Sequence, residues 1–108
     1  MIRVTWEQRG RTLTLRVKGH AGSAPAGQDL ICAGITALVY GLAQTVWENR
    51  EQLEEEPQVH LSPGDAQIQA KAKPPDTKTL KGAFQTAING AKLLAVHYPE
   101  YVQLTTIP

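Results

Sequence analysis

The sequence predicts an α+β fold, a two-layer sandwich whose antiparallel-rich sheet carries two helices on one face in the order ββαββαβ. Three observations predict it. Apolar and polar residues alternate near the N-terminus and again around residues 59–72, as they do in half-buried strands. Two longer stretches instead repeat apolar residues at steps of three and four, as helices do. A length of 108 residues with 42% hydrophobic and 19% charged side chains suits one domain, 1–108, around one core, far from the composition of disordered chains.

Each element follows from its residues. Ile2, Val4 and Trp6 face one way while Arg3, Thr5 and Glu7 face the other. Leu13, Leu15 and Val17 repeat that pattern against Thr12, Thr14 and Arg16, and the Gly10 region between them is short enough to close a hairpin. A Gly- and Ala-rich stretch, GHAGSAPAGQ, comes next. Asp29 then stands where a helix N-cap belongs, and Ile31, Ile35, Leu38, Leu42 and Val46 form a stripe carrying that helix to about Leu53. Val59 and Leu61, then Ile68, Ala70 and Ala72, alternate with polar neighbours around SPGD, a second hairpin. The residues PPD introduce a second helix with Leu80, Phe84, Ala87, Ala91 and Leu94 on one stripe. It ends before Pro99, because proline disfavours helical geometry in its predecessor. The tail YVQLTTI supplies a fifth strand.

Charge and composition exclude several function classes. The net charge is +1, and the eleven basic residues are scattered with few aromatic neighbours, so direct nucleic-acid binding is not expected. The N-terminus, MIRVTWEQRG, lacks the apolar run and cleavage site of a secretory signal, and a lone cysteine suits the reducing cytoplasm. Residues 30–47 carry no formal charge and approach the roughly 18 residues of a membrane-span candidate. Two Gly, two Thr, Gln44 and Cys32 argue instead for a helix covered by protein on more than one side, with no membrane partner. The acidic run ENREQLEEEP reads as a solvated helix end and turn, the alternative being a dock for a basic partner. No metal is implied, since His60, His97 and Cys32 have no ligand spacing, and no cofactor, since the Gly residues lack the lysine of a phosphate loop.

The chemistry concentrates on Cys32, which stands inside the first turn of the first helix, twelve positions after His20. A free thiol of pKa near 8.5 is only a few per cent ionised at pH 7. Half ionisation needs a fall of about 1.5 units, roughly 2 kcal/mol, whereas a helix N-terminus supplies about 0.3 to 1. An imidazolium beside the sulfur would provide the rest, and the loop between them lets His20 reach it. Against this stands the commoner fate of a free cysteine, burial as a small hydrophobe. His60 in a strand and His97 at a helix end suffice as surface or capping groups. Asp29 has two compatible tasks, capping the helix or orienting His20, and as a carboxylate it would raise the thiol pKa.

Gly19, His20 and Ala21, then Gly27, Asp29, Cys32 and Ala33, spell G-H-A-x5-G-x-D-x2-C-A. The pattern resembles the Prp family of bacterial ribosomal-processing cysteine proteases, and the leading strand pair and the ending GAKLLAVHYPEYVQL look like that family too. The resemblance implies a homodimeric α+β protease that removes an N-terminal extension from a large-subunit ribosomal protein, cutting after an aromatic residue. It implies Cys32 as nucleophile and His20 as its base, with oxyanion stabilisation expected from backbone N–H groups of the helix start. The loop over 19–28, with Gly19, Gly22 and Gly27, would move to close over the peptide. After Cys-Ala the family continues with Ala, an aliphatic residue and Ser, where this chain has Gly34, Ile35 and Thr36. Thr36 keeps a hydroxyl one turn past Cys32, able to bond near the site or back to the Cys32 carbonyl. The second reading is a non-catalytic, ribosome-associated module that holds a peptide with Cys32 merely buried. A redox sensor ranks last for want of a resolving cysteine.

Overall fold

A computed structural model describes residues 1–22 and 29–108. The two alternating stretches at the N-terminus form β1 (Ile2–Arg9) and β2 (Thr12–Lys18), joined through Gly10 at a φ of 58°. Helix α1 (Leu30–Glu48) follows, then the hairpin β3 (Gln58–Ser62) and β4 (Asp65–Lys71), helix α2 (Thr77–His97) and strand β5 (Val102–Ile107). The element order is ββαββαβ, as the patterning predicts. Strands lie in the order β3-β4-β2-β1-β5. Three pairings are antiparallel, but β5 lies parallel to β1, so the sheet is mixed. A parallel neighbour needs a long crossover, and α2 supplies it between β4 and β5.

Register explains the single core. Val4 faces Val17, Leu15 faces Ile68 and Ile2 faces Val102, so one face of four strands is a continuous apolar surface under the helices. Phe84 of α2 is fully buried on it, its ring centroid 5.7 Å from that of Trp6. Burying a side chain of this size contributes about 1.5–3 kcal/mol. The opposite face presents Thr5, Thr14, Arg16, Gln67 and Gln69. Polar residues alternate because that face meets water.

Helix α1 buries Ile31, Ile35, Val39, Leu42, Ala43 and Val46, while Leu38 is half-buried against α2. Leu38 sits over Gly90, where a Cβ would fall 2.6 and 2.7 Å from its methyl carbons, and Leu94 reaches Gly34, so the helices run antiparallel.

Two expectations need correction. The first helix ends at Glu48, not Leu53: Asn49 closes it by bonding back to the Thr45 carbonyl, and a 3₁₀ turn, Arg50–Gln52, redirects the chain. Leu53 then bridges to Ala72 as extended backbone and is buried there, which continuing the helix would prevent. Val59 and Leu61 alternate as a strand requires, yet both are exposed, because β3 is the edge strand beyond the cover of the helices.

Candidate active site

The chain leaves β2 through Gly19, whose φ of 96° suits glycine alone and where a Cβ would collide with the Met1 carbonyl oxygen. Three successive residues are then anchored by their backbones. Gly19 N–H donates to the Gly64 carbonyl at 2.9 Å. The His20 carbonyl accepts from the Met1 ammonium at 2.6 Å, and Ala21 N–H donates to Cys32 Sγ at 3.3 Å. His20 and Cys32 thereby line one cavity of about 180 Å³, between α1 and the β3–β4 turn, with Thr36, Tyr40, Gly64 and Asp65. A larger depression, about 450 Å³, lies on the open sheet face and carries neither cysteine nor histidine.

Asp29 caps α1, its Oδ1 accepting from Ile31 N–H at 3.1 Å and Cys32 N–H at 3.0 Å. Those are the helix-start donors expected to hold an oxyanion, and the cap occupies them. Ala21 N–H is, among the described residues, the donor that reaches the sulfur. The cap also bears on the thiol. Cys32 is pushed above its ordinary pKa chiefly by burial of the half-buried sulfur. The Ala21 N–H pulls the other way; the Asp29 carboxylate adds to the rise through a hydrogen bond and its charge, and the Met1 ammonium offsets a little. The thiol is therefore protonated at neutral pH.

The expected contact between the His20 ring and the sulfur is absent from the hydrogen bonds of the described residues. Among the described residues no hydrogen bond joins His20 to Cys32; the imidazole is exposed and packs on Gly64. Thr36 lines the cavity, and unlike Thr45 and Thr86, which bond the carbonyls four residues back, its hydroxyl makes no such bond among the described residues. Gly22 has a φ of 69°; Gly27 lies outside the described residues. His60 is exposed on β3, with Nε2 3.1 Å from Ser62 Oγ and 3.7 Å from Asp65 Oδ2, and His97 ends α2 beside Tyr98. Both stand apart from Cys32. Among the described residues no group of three or more His, Cys, Asp or Glu could hold a metal ion. The residues that sequence reasoning missed are Tyr40 and the turn from Ser62 to Asp65. SPGD marks a turn, but only the β2–β4 pairing, Lys18 against Asp65, carries it to His20.

The sequence matches the family described as cysteine protease Prp over residues 1–103. The chain belongs to the Prp family. That family is one of cysteine proteases, hence of hydrolases. The ribosomal processing cysteine protease Prp of Bacillus subtilis (strain 168) is 50% identical over 34 residues, 32% of this chain and 30% of that relative. The Staphylococcus aureus ribosomal processing protease Prp, solved with a covalently linked product peptide, has a TM-score of 0.76 at 18% identity, covering 99% of this chain and all of the other. SMU.848 from Streptococcus mutans gives 0.70 at 23%, covering 99% and 94%. At these identities the likeness shows the fold: the mixed sheet and both helices are those of the Prp structures.

Proposed function

We propose that this chain is an endopeptidase, a single protease domain over 1–108, that removes the N-terminal extension of a large-subunit ribosomal protein, cutting after an aromatic residue. It works as a homodimer in the cytoplasm. The observation that carries the reading is the shared cavity: the chain's one cysteine, in a family of cysteine proteases, has Ala21 N–H on its sulfur and His20 lining the same cavity. Tyr40, Val39 and Ile35 give that cavity an apolar side suited to an aromatic side chain. The S. aureus relative has also been solved with a substrate peptide.

Because the thiol starts protonated, His20 acts as a base during attack and not as the partner of a preformed thiolate. The free-enzyme geometry is loose, as such contacts commonly are before substrate tightens them. The Sγ proton passes to a ring nitrogen of His20 as sulfur bonds the scissile carbonyl carbon, and the carbonyl electron pair moves to oxygen. Ala21 N–H stabilises that oxyanion. Collapse breaks the C–N bond, the leaving amine takes the proton from His20, and a thioester remains. Water then adds with His20 again as base, releasing the acid and the thiol. Asp29 holds the start of α1 and Thr36 borders the cavity.

Incubating the purified protein with the full-length ribosomal protein tests the reading by product mass. Wild type yields a single N-terminal truncation after an aromatic residue, and Cys32→Ala yields none. Intact substrate with both proteins, despite its co-sedimentation with the chain, would favour a non-catalytic peptide-binding module.

A further inference from the structure

We infer that Gly64 is a positioning residue for His20: the bare tip of the β3–β4 hairpin is a seat that holds the imidazole at the mouth of the Cys32 cavity. The inference rests on the reading that His20 serves Cys32. With Gly19 tied to the Gly64 carbonyl, the His20 carbonyl tied to Met1 and Ala21 tied to the sulfur, the backbone around His20 is fixed. Only rotation of the His20 side chain remains. Among the described residues the ring makes no hydrogen bond, so packing alone restrains it.

That packing is against Gly64. A Cβ built there would collide with His20 Nε2 and fall 2.9 Å from Cε1 and 3.1 Å from Cδ2. The ring occupies the space that any side chain at position 64 would take. Gly64 also has a φ of 70°, which the turn after Pro63 requires. The two demands separate cleanly, because asparagine tolerates a positive φ but brings a Cβ. A turn that needed only its backbone geometry would accept Asn; a seat for the imidazole does not.

The test compares Gly64→Asn with wild type, His20→Ala and the double variant, reading iodoacetamide alkylation of Cys32 against pH and turnover of a synthetic peptide spanning the ribosomal extension. Gly64→Asn is expected to remain folded and to move the alkylation profile towards that of His20→Ala. It should lower kcat by roughly 10- to 100-fold, the scale of a misplacement near 1 Å, with KM nearly unchanged. Adding Gly64→Asn to His20→Ala should change nothing further, since the effect passes through the ring. If Gly64→Asn fails to fold, Gly64→Asp, which also tolerates a positive φ and also brings a Cβ, carries the same measurements. A wild-type profile and kcat in the folded variant overturn the inference, as does a loss that persists undiminished without His20. Should His20→Ala itself leave both readouts unchanged, the role of His20 falls and this inference with it.

Discussion

At the scale of the residue, Asp29 both builds and restrains the site. Its carboxylate satisfies the Ile31 and Cys32 N–H groups, and the same charge adds to the rise in the thiol pKa that burial chiefly causes. Asp29→Asn retains a good N-cap and removes the charge. The thiol pKa should fall, and alkylation of Cys32 at pH 7 should quicken by a few-fold, on the order of tenfold for a full unit. A profile unmoved in the variant would show that burial alone sets the pKa. The raised pKa also fixes a sign for stability. The folded protein holds the Cys32 proton more tightly than the unfolded chain, so this contribution is complete below the unfolded value, about 8.5, and is lost as pH rises through the folded one. Denaturant melts from pH 8 to 10 should show a downward slope that Cys32→Ala lessens.

At the scale of the element, Gly34 is a glycine inside α1 that packing among the described residues does not demand. Among the described residues, a Cβ there would meet only Leu94 Cδ1, at an ordinary 3.6 Å. Gly34→Ala should therefore stabilise the fold by about 0.5–1 kcal/mol, raising Tm by a few degrees, because it removes the entropy cost of glycine in a helix. Gly90→Ala should do the reverse, since its Cβ would press on the Leu38 methyl carbons. Thermal melts of the two variants should move in opposite directions. The elements themselves were legible from periodicity: Ile2, Val4 and Trp6 are buried as alternation requires, and so are Leu80, Phe84 and Ala87 at helical spacing. What alternation could not tell is which strand lies at an edge, so it marked Val59 and Leu61 as strand residues without showing that they stand in solvent. Nor could spacing tell that Leu53, in step with α1, serves the sheet instead.

At the scale of the whole molecule, the site joins segments that no local pattern connects. The motif over 19–33 made His20 and Cys32 legible, but the wall behind the imidazole comes from the β3–β4 turn, through the register of β2 on β4. Pairing order is a property of the assembled sheet, and a single sequence does not encode it as a pattern. The same scale raises the question of what covers α1. An 18-residue window of this helix has a mean hydropathy of 1.6, yet only 28% of it is buried. Leu30 and Trp47 are exposed, and Ala33, Ala37 and Gly41 lie exposed at four-residue steps. An apolar helix face with small residues along it suits close packing against a second copy of itself, the isologous contact of a two-fold dimer. Ala37→Glu would place an unpaired charge in that contact while leaving the buried face of α1 untouched. Sedimentation equilibrium should return twice the chain mass for wild type and the chain mass for Ala37→Glu, with the same circular dichroism for both. A wild-type monomer across the micromolar range would remove the dimer from the proposal, leaving this face to another partner.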